Sequence, residues 1–351
     1  MKPVLITGGA GFVGANLADR LASAGQPVLL FDNLSRRSVE RNLVWLHERH
    51  GALIDAEQLD VRDALSVRRA VEHAREVFHL AAQVAVTHSL QRPDEDFEIN
   101  ARGTLHILEA LRAQPSPPPL VFTSTHEVYG PLAELGLDES ATRFHPTDPI
   151  VALRGLDEAR PLDFHTPHAC SKGAADQYVL DYARSFGLPA VVLRLGTTYG
   201  PRQFGTADEG WVSHFLRATL EGRPLTLFGD GREVRDLLYV DDLTDALLLA
   251  QRRMAWLAGR AFNLGGGADQ TLSPIELLRA CEQLCGRAPE VTFAARRVAD
   301  PRYFVADTRR FERATGWRPR VGVADGLERL HRWLTENAHA LPVPLVGEAH
   351  S

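Results

Sequence analysis

Short, continuous apolar runs alternate along the first half of the chain with stretches whose apolar residues return every three or four positions. Residues 3–7, 28–31, 77–82, 120–125 and 189–195 are runs of the first kind, as strands buried on both faces require. A further strand ends at Asp60 and Val61. Leu17, Ala18, Leu21 and Ala22 share one helical face before Gly25 ends the pattern, and residues 100–111 repeat that periodicity. Strand and helix in alternation predict a doubly wound, Rossmann-type α/β fold with a parallel sheet. Past residue 195 the alternation fades. Helical patterns remain at 211–220, at 239–252 with Asp241 or Asp242 placed to cap the start, after Pro274, and at 326–334. The expected division is a Rossmann domain over 1–195, joined again by 236–264, and a smaller C-terminal substrate-binding lobe built from 196–235 and 265–337. Residues 338–351 lack periodicity and are expected to be a disordered tail. The connection 131–167 is too long for a plain loop in a compact domain, which marks it as functional or partly structured.

The first strand runs directly into a turn with Gly8, Gly11 and Gly14 at every third position, and the next strand ends at Asp32. A glycine pattern alone says little. Placed between a strand and a helix, with an acid closing the following strand, it is a dinucleotide fingerprint. The glycines let backbone approach a pyrophosphate at a helix N-terminus. Asp32 is suited to accept hydrogen bonds from ribose hydroxyls and to repel a 2′-phosphate, which predicts NAD over NADP, a preference tempered by Arg36 and Arg37. The expected cofactor contacts are Gly8, Gly11, Phe12, Val13, Asp32, Asn33, Asp60, Val61, Ala81, Gln83 and Lys172.

Composition narrows the partners. The 351 residues are 44% hydrophobic and 24% charged, as in ordinary globular proteins, and the net charge of -6 gives no footprint for nucleic acid. No apolar run approaches membrane-spanning length, and a strand beginning at residue 3 leaves no room for a signal peptide, so a cytoplasmic protein is expected. Cys281 and Cys285 lie four apart on a helix without further ligands near them in sequence, which favours packing over metal binding.

The candidate chemistry collects at strand ends. Thr125, His126 and Glu127 close the fifth strand, where ligands gather in doubly wound sheets. Downstream, His168 and Lys172 stand four apart near the start of a helix, on one face. The glycine turn, Asp32, Thr125, Lys172 and the run Arg235-Asp236 to Tyr239-Val240-Asp241-Asp242 together resemble the extended short-chain dehydrogenase/reductase family, NAD-dependent enzymes of nucleotide-diphosphate sugars. Longer runs, among them FDNLSR from Phe31, DFEIN from Asp96, LDFH from Leu162 and CSKGAADQY from Cys170, are similar to the branch of that family that epimerises C2 of CDP-hexoses. The resemblance implies transient oxidation of a sugar carbon to a ketone and hydride return to its other face. It implies Tyr199, Arg202, Gln203, Trp211, Arg235 and Arg302 as substrate contacts, and a homo-oligomer; His88, after the fourth strand, and His126, at the end of the fifth, are expected to face the substrate by their places in the topology.

Family active sites use a Ser or Thr, a Tyr and a Lys. Thr125 and Lys172 match the outer two, and the Tyr place holds His168. An imidazole accepts protons near neutrality without the help a phenol needs, so His168 can be the base. Two other readings stay open: a position impaired by the exchange, or acid-base work moved to Glu127 and His126, as in nucleotide-sugar dehydratases and decarboxylases. A catalytically silent NAD or sugar-nucleotide binding protein is the different-class alternative. His88, His126 and His168 could meet in one pocket, but Lys172 and the cofactor's charge beside them disfavour a metal, and none is expected.

Overall fold

The structure is a computed structural model that describes residues 1–36 and 38–338. Apart from residue 338, the tail 338–351 lies outside the described residues, as does Arg37. A seven-stranded parallel sheet runs through the molecule in the spatial order Ile54–Gln58, Val28–Asp32, Val4–Thr7, Glu76–His79, Leu120–Thr125, Ala190–Leu195 and Ala261–Leu264. The chain winds outward from Val4–Thr7, then returns to its other side at Glu76–His79. That reversal opens a crevice at the carboxyl ends of these two strands, where doubly wound folds bind ligands. The apolar run 77–82 is shorter as a strand than its pattern predicts, because Leu80 and Ala81 leave the sheet and line the crevice. The seventh strand, Ala261–Leu264, is not evident from the sequence pattern, which is brief there and interrupted by Asn263.

Two apolar layers hold the sheet. Phe12–Ser23 and Val240–Arg252 cover one face, where Leu17, Leu21, Leu243 and Leu247 pack on Ile6, Val121 and Phe262. Ala64–His73, Gly103–Arg112 and Pro167–Ser185 cover the other through Val67, Ile107 and Val179. Each fully buried Leu, Ile, Val or Phe contributes about 1.5–3 kcal/mol relative to exposure. The helix Pro93–Phe97 continues through a π-turn, Glu98–Arg102, into Gly103–Arg112, and the wide turn keeps Asp96 and Asn100 both buried. The segment 131–167 is partly structured, with a hairpin of Leu137–Glu139 and Phe144–Pro146 and a helix, Pro149–Arg154.

Beside the main sheet, Val234–Tyr239 is flanked by the parallel strands Thr197–Tyr199 and Tyr303–Phe304 and the antiparallel Thr271–Leu272. Asp241 and Asp242 do not cap the helix Val240–Arg252, which begins at Tyr239 without a side-chain cap. Asp242 instead accepts the backbone N–H groups of Arg320 and Val321, both at 2.9 Å, and ties the C-terminal segment to this helix. Cys281 packs in a core with Leu277 and Leu216, its thiol pushed up to about 12 by burial. Among the described residues no helix is long and apolar enough to cross a membrane.

The glycine turn has no slack. A Cβ at Gly14 would lie 2.3 Å from the Gly8 carbonyl oxygen, which is backbone and cannot move aside. Gly14→Ala is therefore expected to lose more than about 2 kcal/mol in denaturant unfolding. Gly322→Ala, whose methyl meets nothing within 4 Å, should cost no more than about 1 kcal/mol, from the poorer N-cap of the helix Val323–Glu336. Equal stability of the two variants would refute the packing account.

Candidate active site

The helix Pro167–Ser185 is started by Thr166, whose hydroxyl accepts the Ala169 N–H at 3.0 Å, with Pro167 in the first helical position. Gly173 lets the Phe164 ring lie against the helix; a Cβ there would come within 2.3 Å of the ring. His168 and Lys172 are 3% and 5% exposed and share the inner face. The Lys172 ammonium donates to the Thr123 carbonyl at 2.7 Å and lies 4.4 Å from the centre of the Phe122 ring. Burial lowers it to about 8, against the pull of Asp176 and Asp96. His168 Nδ1 is enclosed without a hydrogen-bond partner and lies 3.7 Å from Asp96 Oδ1. Since Nδ1 is enclosed and the residue lines the crevice, the ring meets the crevice by its other edge.

The strand Leu120–Thr125 delivers Thr125, whose hydroxyl accepts the Glu127 N–H at 3.2 Å. Glu127 is half-buried, and desolvation pushes its carboxyl up while His168 pulls it down. His126 hydrogen-bonds the Leu195 carbonyl through Nδ1 at 3.2 Å, packs on Phe304 with ring centres 4.6 Å apart, and is lowered to about 4 by burial and by Arg235.

The crevice is a cleft of about 790 Å³. Gly8, Gly11, Phe12, Val13, Asp32, Asn33, Val61, Ala81, Gln83 and Lys172 all lie on its wall. The helix Phe12–Ser23 opens onto it at Gly11, with no side-chain cap and no acid in its first turn, so its free N–H groups face the space. Asp32 accepts the Ala10 N–H at 3.0 Å and the Leu34 N–H at 2.9 Å, and its carboxyl is raised by burial. This arrangement fits a dinucleotide: open donors for the pyrophosphate and an anchored carboxylate for ribose hydroxyls. Arg36 is paired with Glu209. Asp60 is the departure from the expected contacts. Arg62 grips its carboxylate at 2.8 and 3.0 Å and Asn33 donates at 2.9 Å; despite burial these donors bring it to about 2, and it does not reach the cleft wall.

A smaller cavity of about 220 Å³ adjoins the cleft, and His126, Glu127, Thr197, Asp208 and Trp211 line both. Arg235 reaches this cavity, held by the carbonyls of Val234 at 2.8 Å and Pro301 at 2.6 Å and paired with Asp300. Arg297, Glu233 and Asp300 stand there too, and sequence reading passed over all three. Glu233 stands two residues before Arg235, just ahead of the strand Val234–Tyr239, and that spacing is the signal that would have found it. Five other expected substrate contacts fall outside this cavity. Tyr199 is 0% exposed and packs edge-on against Tyr239 in the lobe core. Arg302 is exposed against Phe144, outside both cavities. Arg202 and Gln203 line the cleft alone, the first with its guanidinium 3.8 Å from the centre of Trp45. His88 lines the cleft as well, 3.3 Å from Glu95. Among the described residues no three His, Cys, Asp or Glu side chains are grouped to hold a metal ion.

Residues 4–265 match the model of the NAD dependent epimerase/dehydratase family. The chain is 41% identical over 343 residues to the CDP-paratose 2-epimerase of Salmonella typhi, covering 94% of this chain and 98% of that protein. Among solved structures it is similar to the Thermus thermophilus UDP-glucose 4-epimerase in complex with NAD, at 33% identity and a TM-score of 0.77 over 95% of this chain and 99% of that one. The Thermotoga maritima UDP-glucose 4-epimerase with UDP-glucose gives 29% identity and a TM-score of 0.80 over 96% and 99%.

Burial of Lys172 has a measurable sign. Its value falls from 10.5 to about 8, so the charged form costs the fold stability below about pH 8, and that cost vanishes as pH rises to 10.5. Relative to Lys172→Met, the parent should gain about 3 kcal/mol between pH 7.5 and 10.5 in paired unfolding measurements. A constant difference across that range would show that the ammonium is not desolvated.

Proposed function

The chain belongs to the NAD dependent epimerase/dehydratase family, and from that footing we propose that it epimerises a nucleotide-diphosphate sugar, at C2 of a CDP-hexose. The reading is carried by the 41% identity to a CDP-paratose 2-epimerase across nearly the full length of both chains. The joined cavities support it, because a sugar lodged at Glu127, His126 and Thr197 stands at the mouth of the dinucleotide cleft.

When bound, NAD supplies the hydride acceptor and donor that interconvert a carbinol and a ketone. The chain's own residues hold the substrate and move the proton. His168 takes the sugar hydroxyl proton during oxidation and gives it back during reduction. The Thr125 hydroxyl, at the end of its strand, is placed to hydrogen-bond the same sugar oxygen. Lys172 is the fixed donor of the cleft floor, for a ribose hydroxyl. The guanidinium of Arg235 offers fixed charge and planar donors to a diphosphate, and Arg297 adds a second positive group in that cavity. A rigid aromatic wall at Trp211 borders both spaces.

One observation favours a second reading. Glu127 has its carboxyl raised by burial at the junction of the cavities, which suits a proton donor for dehydration of a ketosugar.

Incubation with CDP-hexoses in D₂O, followed by NMR, separates the readings. Epimerisation should give an inverted stereocentre without solvent deuterium at that carbon. Deuterium at a carbon beside the ketone, with loss of water, would replace it with dehydration. Tight NAD retention without turnover of any sugar would favour a binding protein. His168→Ala should lower the rate by about 10²–10⁴, whereas a faster His168→Tyr would show that the imidazole impairs the site.

A further inference from the structure

Asp96 is fully enclosed, faces His168, and has no part in the reaction as set out above. Its position is rigid. Oδ1 accepts from Gln83 Nε2 at 2.8 Å and from Asn100 Nδ2 at 3.3 Å, and Oδ2 accepts from the Ser171 hydroxyl. Asn100 Nδ2 also lies 3.0 Å from the Ser171 oxygen and 3.0 Å from the Gln83 carbonyl, so its two N–H groups are shared among three oxygens. Burial pushes the Asp96 carboxyl up, but the groups around it, His168 first and then Ser171 and Gln83, hold it below the usual carboxylate range. The carboxylate is thus charged, anchored on three sides, and open towards the imidazole.

His168 supplies the complementary donor position. Nδ1 is buried with no partner, 3.7 Å from Asp96 Oδ1. That gap exceeds hydrogen-bond length, and a shift of under roughly 1 Å closes it; such contacts often tighten only in the loaded enzyme. A neutral imidazole carries one N–H. With the proton on Nδ1, it meets a carboxylate; with the proton on the other nitrogen, two lone pairs would face each other in an enclosed space. The other charged or titratable groups around the ring are Glu127 and His126 from the strand end and Lys172 one turn along the helix.

We propose that Asp96 is the positioning residue of a carboxylate–imidazole pair: it accepts the Nδ1–H of His168 and so keeps the cleft-side nitrogen free to take the sugar proton. The assignment rests on His168 as the acid-base group. After transfer the ring is a cation, with Asp96 as its counter-ion. No net charge is then left unpaired at that side of the helix.

The first test needs no substrate. In protein labelled with ¹⁵N-histidine, the His168 signals, identified by their loss in His168→Tyr, should show the neutral ring protonated at Nδ1. In Asp96→Asn, or in Asp96→Ser should the first variant melt early, the population should move to the other tautomer. Kinetics supply the second arm. Asp96→Asn should lower kcat about 10- to 100-fold with KM within about threefold, yet change kcat by less than about threefold in a His168→Tyr background. An unaltered tautomer in both Asp96 variants overturns the proposal, as does an equal kcat loss in the two backgrounds. If no CDP-hexose is turned over, the tautomer measurement still decides it, and only the functional reading fails.

Discussion

Desolvated charge along one face of the helix Pro167–Ser185 governs the active side of the molecule. His168, Lys172 and Asp176 recur every four residues, so all three point at the sheet, and all are buried. Burying such a row is tolerable only if each member has a partner. Asp176 takes two hydrogen bonds from Arg194, at 2.9 and 3.0 Å; Arg194 donates on to the Tyr129 hydroxyl at 2.9 Å, and Tyr129 to Asn263 at 2.7 Å. Through this chain the middle of the helix is locked to two strands of the sheet. Removing one member of such a buried pair typically costs about 3–5 kcal/mol. The near end is locked differently, by Lys172 on the Thr123 carbonyl and by Asp96 against Ser171.

That locking lets the chemistry sit where two cavities meet. The strand Leu120–Thr125 and the helix are tied to one another by Lys172, which sets the backbones that carry Thr125 and His168 in one frame. The second sheet enters through Val234–Tyr239, whose central place among four strands holds Arg235 at the small cavity. Buried Asp236, next along that strand, accepts the N–H groups of Gly267 and Ala306 and is raised to about 6 by burial. Gly265 packs so close to it that a Cβ would overlap the carboxylate at 1.8 Å. Arg235 thus stands on a strand that is itself pinned by a carboxylate.

Local signals made the seven-stranded sheet and its cleft legible. A glycine turn between a strand and a helix, an acid at the next strand end, and a pair four apart on a helix all depend on near neighbours, and Gly8, Asp32, His168 and Lys172 lie where those signals put them. What depends on register was not legible. Tyr199 and Thr197 lie on one short strand, yet only Thr197 meets the cavities, while the longer Tyr199 side chain is buried against Tyr239. Asp96 stood in plain view in the run DFEIN, but its meaning comes from Ser171, which lies far along the chain. Asp60 and Asp242 show the same limit from the other side: each looked like a ligand or cap, and each was claimed by backbone or arginine groups that sequence spacing does not reveal.

The exchange of a phenol for an imidazole at position 168 reverses what the neighbours must do. A phenolate base goes from negative to neutral when it takes a proton, so a lysine beside it stabilises the state that is ready to react. An imidazole goes from neutral to positive, and the same lysine now opposes the product of proton transfer. Two unit charges about 4 Å apart interact by about 4 kcal/mol at an effective dielectric near 20, so a neighbour of the wrong sign is enough to stop the step. Lys172, with its charge already weakened by burial, is the residue that suits a tyrosine. Asp96, anchored by Ser171, Gln83 and Asn100 and aimed at Nδ1, is the residue that suits a histidine. Asp96 also braces the helix through Ser171 and belongs to a run shared with the C2-epimerising branch, so a histidine at 168 uses a carboxylate that the fold already holds. The carboxylate makes the imidazolium tolerable in a place built around an ammonium group.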